Sequence, residues 1–376
     1  MGVLVAILAL AGLAQAAGAA TVSGPDEIQL LNRHNDTRSQ NGLAALADDV
    51  AARDVARAWA QHMADTQTLS HNPNLTQQVN SQVTNQWTRL GENVGRAPSV
   101  DSVNNAFLNS SGHRANILGD YNRVGVGAAR DANGQLWVAV VFIKGPALPI
   151  VPRTTWSPFA DPYAFVNQQY ADFLSRGGDG GGVEAWATAM RAGRMSAAGE
   201  IDSFMNSAEF GQLISPIVRL YFAAFTRIPD QAGLQSWIDY RRRGASLQSV
   251  AQAFAGSQEF RNRYDGYANR PFVDQLYRNV FGRPADGSGL DYWGGKLDRG
   301  EMTRADVLLG LAGSNEYIGL SRSEVLTTMT YIGMLRRAPD QGGFNYWVGR
   351  LDSGRSIQEC INGFIGSNEY RARFGG

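Results

Sequence analysis

A single cysteine, Cys360, leaves this chain of 376 residues without any internal disulfide framework, although an exported protein could have used one. Stability must come from packing. Net charge is also missing: 34 basic residues offset 34 acidic ones, with 11 of each before residue 158. Nothing there suggests electrostatic capture of nucleic acid or anionic lipid. Past residue 20 no long apolar run occurs, so no stable membrane span is expected once the N-terminus is removed. The usual catalytic signatures are lacking too. There is no G-x-S-x-G elbow, no H-E-x-x-H and no G-x-x-x-x-G-K-[ST] loop, and Cys360 has no histidine near it in sequence. Ser110 and Ser111 beside His113 make no triad, because local adjacency is the wrong geometry for a base. Histidine itself is scarce, with four in the chain.

What is present begins with "MGVLVAILALAGLAQAAGAA", residues 1–20. It is an apolar run closing in small residues with A-x-A cleavage candidates, the pattern of a secretory signal peptide, although no Lys or Arg precedes it. A membrane anchor is the alternative reading, but the run sits near the lower length limit for a span and lacks flanking charges. Composition is otherwise that of a globular protein, 44% hydrophobic and 18% charged, with length for two or three domains. Residues 24–144 read as helices ("EIQLLNRHNDTRSQNGL", "DDVAARDVARAWAQHMADT", "VDSVNNAFLNS") followed by two strands, "RVGVGAAR" and "GQLWVAVVFI". The turn Asp131-Ala132-Asn133-Gly134 between the strands suits a tight hairpin. Helices with an antiparallel sheet predict a layered α+β domain. Ile28, Leu31 and Asn35 form one helical stripe, Val55, Trp59 and Met63 another. Five prolines between Lys144 and Pro162 mark a semi-rigid linker, 145–162.

From residue 163 the chain repeats. Tyr170, Tyr221, Tyr277 and Tyr331 are each followed at fixed offsets by an aromatic or Leu, then Arg, Asp, Gly and Trp, and each copy closes with S-x-E-[FY]. Four copies, about 163–212, 213–264, 269–319 and 323–376, define an all-α repeat region. The Asp is expected to cap a second helix, the Arg to pair with the Asp or with the S-x-E glutamate, and Ser196, Ser246, Thr303 and Ser356 to open a third helix. Ser356 and Glu359 have capping-box spacing. Calcium is disfavoured, since one carboxylate per loop falls short of six to eight oxygens.

These copies resemble a bacterial helical domain of unknown function that looks like the phycobilisome linker fold, and the resemblance implies surface attachment or self-assembly. In the first domain "LNRHNDTR", "LSHN", "GENVG", "SSGHRANIL", "RVGVG" and "WVAVVF", in that order, resemble the CAP superfamily of cysteine-rich secretory, antigen 5 and pathogenesis-related proteins, in its bacterial cysteine-free branch. That resemblance implies an α-β-α sandwich with a histidine- and glutamate-lined cleft, to which it assigns His71, Glu92 and His113. Phe107 and Ser111 stand where bacterial members usually have Trp and Pro, and Asn104 and Asn105 occupy the helix where a second glutamate would be expected. Two imidazoles and one carboxylate suit a zinc ion with an open fourth position, with His71 and His113 as the metal-ligand candidates, or act as general acid and base without metal. His34 reads as a satisfied structural hydrogen-bonder, along with Asn35 and Arg38. The reading taken is a secreted or surface-associated binding protein whose cleft holds an extracellular or envelope ligand, lipid or glycan. A His/Glu hydrolase of peptide or cell-wall material and a small lipid or sterol carrier stay open as alternatives.

Overall fold

The computed structural model describes residues 19–375. The run read as a signal peptide lies outside them, except for Ala19 and Ala20. The described residues fold as two compact units, one of residues 19–151 with 191–193, the other of 152–190 with 194–375. Together they make an α+β protein.

In the first unit the strands are β1 (Thr21–Val22), β2 (Ala47–Asp48), β3 (Arg89–Ala97), β4 (Arg123–Arg130) and β5 (Leu136–Lys144). The helices are α1 (Gly24–Gln40), α2 (Val50–Thr66), α3 (Leu75–Gln78), α4 (Val100–Asn109) and α5 (Ser111–Ile117). The sheet order is β1-β4-β5-β3, antiparallel throughout, while β2 adds a short parallel pairing to β4. Alternation along β4 separates two cores. Val124, Val126 and Ala128 join Leu30, Leu31, Val103 and Phe107 on the face covered by α1 and α4. Gly125, Gly127 and Ala129 face α2. A Cβ at Gly125 or Gly127 would overlap the α2 backbone at Ala52–Arg53 and Ala56–Arg57, so the glycines of "RVGVG" let the helix lie directly on the strand. Helix α2 presents its own small residues there: Ala52, Ala56 and Ala60 are fully buried. Val55 and Met63 are buried too, but the closest approach belongs to the alanine stripe.

The N-terminus of α2 is fixed by Asp49. Its Oδ1 accepts from the backbone N–H groups of Ala51 and Ala52, and its Oδ2 accepts from Arg123 Nε at 2.8 Å. The β4–β5 turn is longer than the tight hairpin expected. Arg130 pairs with Leu136, and Asp131 closes the intervening loop by accepting from the N–H groups of Asn133 and Gln135. An Asx turn, with only Gly134 in the left-handed region at φ 76°, replaces a two-residue turn.

In the second unit each copy has a tyrosine-bearing helix, a tryptophan-bearing helix, a third helix and a short fourth segment. In the second copy these are Ser215–Phe225, Gln231–Arg242, Leu247–Ala255 and Gln258–Tyr264. One device recurs four times. Asp179, Asp230, Asp286 and Asp340 each accept from the N–H three residues on, at 2.7–2.9 Å. Arg176, Arg227, Arg283 and Arg337 each reach the glutamate of the closing S-x-E, namely Glu209, Glu259, Glu316 and Glu369. Each of these arginines also lies over the ring of its own signature tyrosine. The serine of S-x-E caps the fourth segment, as when Ser257 accepts from Phe260 N–H. The capping box forms at Thr303 and Asp306 rather than at Ser356, because Glu359 is drawn to Arg350. The signature tryptophans are half-buried and the tyrosines buried.

The copies do not simply run in line. The third helices of copies two and three pack together, Leu247–Ala255 on Arg304–Ala312, and so do those of copies one and four, Ala197–Met205 on Ile357–Ile365. Arg373 and Arg336 of the last copy converge on the buried Asp172 of the first, so the four copies close on themselves. The second half of the expected linker is not free: Trp156 is buried, and Phe159 packs on Phe165 and Phe374.

The recurring glycine of each copy has a steric cause. A Cβ at Gly182, Gly233, Gly289 or Gly343 would overlap the hydroxyl of that copy's signature tyrosine. Gly343→Ala should therefore cost about 1–3 kcal/mol where helix propensity alone would gain about 1 kcal/mol. Adding Tyr331→Phe should restore most of the loss, as measured by urea unfolding.

Candidate functional site

Glu92 and Asn93 are neighbours on the edge strand β3 and point to opposite faces. On one side Glu92 meets the segment after α2. Trp59 Nε1 donates to the Ser70 carbonyl at 2.7 Å and holds that segment down. The Asn72 N–H donates to Glu92 Oε2 at 3.0 Å. The same oxygen is 2.7 Å from His71 Nδ1. A carboxylate only accepts, so Nδ1 carries the hydrogen and Nε2 is left facing outward. The His71 side chain is 65% exposed and that of Glu92 6%. The second carboxyl oxygen, Glu92 Oε1, is buried without a partner.

On the other side Asn93 holds helix α5. Its Nδ2 donates to the His113 carbonyl at 3.0 Å, and Asn116 Nδ2 donates back to Asn93 Oδ1 and to the Glu92 carbonyl. The far end of α5 is gripped by Arg38, buried at 3% exposure, which donates to the carbonyls of Ala44, Ile117 and Gly119. The pairing of Asn35 with both backbone groups of Leu46 fixes the loop beside it. His113 thus stands on a pinned helix, its ring 5.0 Å from that of Phe107. Burial holds its imidazole below the ordinary histidine value, and the neighbouring charge of His71 lowers it further.

The structure therefore brings His71 and Glu92 together by a direct hydrogen bond and sets His113 within electrostatic reach of His71. The zinc reading needs Glu92 as a third ligand, but its Oε2 is committed to His71 and Asn72 and its Oε1 is buried. Among the described residues no three His, Cys, Asp or Glu side chains are placed to hold a metal ion. The donor set present does not make a three-ligand zinc site. Asn104 is buried with its Oδ1 unpartnered, and Phe107 is core.

His34 departs from expectation. Asn35 and Arg38 are bonded, but both His34 ring nitrogens are buried without a partner, and the ring lies between Phe107 and Phe142. Burial pushes it down to about 3, so it stays neutral. His62 is exposed and stacks on Trp59. Asn93 and Asn116 were missed from the sequence, though each sits inside a motif that carried the resemblance, "GENVG" and "GHRANIL". A wide, open depression of about 750 Å³ begins two residues after His71, lined by Pro73, Asn74, Thr76, Gln77, Asn80, Ser81 and Asn85.

A layered α-β-α unit, in which an imidazole of the segment after α2 bonds a carboxylate of the edge strand, is followed by four copies of one helical module: a CAP domain joined to a repeat region. Family models agree. The "Cysteine-rich secretory protein family" (CAP) matches residues 31–142. The "Domain of unknown function (DUF4214)" matches 160–214, 217–264, 251–321 and 322–374, more than half the chain, and the chain belongs to that family. Similar solved structures include an outer surface protein of Borrelia burgdorferi (19% identity, 34% of this chain and 99% of that one, TM-score 0.31). Others are an extracellular protein containing a SCP domain from Bacillus anthracis (26%, 32% and 40%, 0.29) and a cysteine-rich secretory protein from Staphylococcus aureus (19%, 32% and 38%, 0.27). The chain thus spans less than half the length of the last two. No curated protein matches it.

His71→Ala should raise the His113 titration midpoint while leaving it below the ordinary value, because the larger cause, burial, remains. Histidine ring signals followed by NMR against pH measure this directly. An unchanged midpoint would mean that the two rings do not interact.

Proposed function

We propose that the CAP domain is a recognition head for a hydroxyl-rich, uncharged ligand of the extracellular space or cell envelope, a glycan rather than an ion. The repeats then hold it at a surface or in an assembly. The observation that carries this is the His71–Glu92 pair. A buried carboxylate orients an exposed imidazole so that Nε2 offers an acceptor to solvent, and the segment that carries it runs on into a depression lined by amides and hydroxyls with no charged side chain. Such groups recognise sugar hydroxyls. Export by the apolar run at residues 1–20 belongs to the same reading, and so does the absence, among the described residues, of any helix long and apolar enough to cross a membrane.

Titrating the labelled chain with uncharged N-acetylglucosamine oligosaccharide fragments tests it. Saturable NMR shifts at His71 and at residues 73–85 are expected, weakened about tenfold or more by His71→Ala, the scale of one hydrogen bond to a charge-backed group. Fragments that shift neither region, or bind the variant equally, would remove the reading. Lipid co-purifying with the protein would favour the carrier instead, and stoichiometric zinc lost in His71→Ala would favour the hydrolase.

A further inference from the structure

The repeat region contains a buried cation with no counter-charge among the described residues. Arg219, on helix Ser215–Phe225, is 8% exposed. Its Nε donates to the Ala312 carbonyl at 3.3 Å and its Nη1 to Ser215 Oγ at 3.0 Å. Both partners are neutral, and among the described residues neither a carboxylate nor any acceptor for Nη2 meets it. Burial pushes the guanidinium below its ordinary value, partly offset by the Tyr317 phenol. A buried charge without a counter-charge is costly and rarely retained without a reason. The module does not require it: two residues before the signature tyrosine the other copies carry Gln168, Gln275 and Met329.

Arg219 lines a cavity of about 230 Å³ to which all four copies contribute: Phe210 from the first, Ser215 from the second, Ile318 from the third, Arg322 and Leu326 from the fourth. No acidic side chain lines it. Arg322, exposed at the rim, is occupied only by an amide oxygen, with its Nη2 donating to Asn206 Oδ1 at 3.0 Å. Two guanidinium groups, one buried and one exposed, in a small chamber that also presents the apolar side chains of Phe210, Ile318 and Leu326 match a head-and-body ligand.

We propose that this chamber binds a small organic carboxylate, whose oxygens take Arg219 Nη2 and Arg322 while its apolar body rests on Phe210, Ile318 and Leu326. The site exists only when the four copies are closed on one another, so a ligand there would also lock the array.

Isothermal titration calorimetry on the full chain at constant ionic strength, with hexanoate, acetate and inorganic phosphate as probes, tests this. Expected is saturable one-site binding of hexanoate, at least tenfold tighter than acetate and weakened at least tenfold by Arg219→Met. That variant should melt no lower than the wild type, since it removes an unpaired charge. Should it fail to fold, Arg322→Gln at the rim decides: several-fold weakening supports the site and unchanged affinity overturns it. Absent hexanoate binding, undiminished binding by Arg219→Met, or phosphate held more tightly than hexanoate would each overturn the proposal.

Discussion

The polar edge of the CAP domain depends on how one short helix is tied to one edge strand. Helix α5 has seven residues, too few to be stable alone. It is held by side chains reaching its backbone: Asn93 and Asn116 bond it to β3, and Arg38 gathers the carbonyls at its C-terminal end. Asn93 and Arg38 are buried and Asn116 half-buried, where hydrogen bonds are costly to leave unmade. His113 inherits its position from them. His71 inherits its own from Glu92 and from the turn that Trp59 holds down. His71 and His113 thus take their positions from a polar frame around β3, with His71 exposed and His113 half-buried.

The repeats show the opposite arrangement. Every signature residue serves the module: aspartate caps, arginine bridges and stacks, glycine makes room for the tyrosine hydroxyl. What distinguishes one copy from another lies at positions outside the signature. Glu200 stands where the other copies have Val250, Val307 and Cys360. Both its oxygens are buried without a partner, and burial pushes it up to about 8, so it is held neutral. Arg219 is a second such departure. Attachment or assembly, the role proposed for this region, would use these differences and the closed 1:4 and 2:3 pairing rather than the shared frame.

Much of this was legible in sequence because periodicity and capping are local. The helices, the α+β class and the Asp caps follow from spacing, which left each arginine a choice between the Asp and the S-x-E glutamate. The positions of His71 and Glu92, 21 residues apart, became legible only through a resemblance spread over six short motifs. What stayed hidden was non-local. No spacing shows that Gly125 and Gly127 admit a helix backbone, that Asp131 rather than Asn-Gly closes a turn, or that Glu359 prefers Arg350 to its capping box. Nor does a lone histidine beside an asparagine reveal that one is bonded and the other, His34, is sealed among aromatic rings. The closure of copy one on copy four needed the fold as well.

Amide hydrogen exchange in Asn116→Ala tests the central claim, that the buried frame and not the cleft residues positions the site. Loss of the two bonds to β3 should raise exchange across residues 111–117 by at least tenfold while α1 stays protected, and His71→Ala should change neither. Unchanged protection of that helix in Asn116→Ala, or its loss in His71→Ala, would contradict the account.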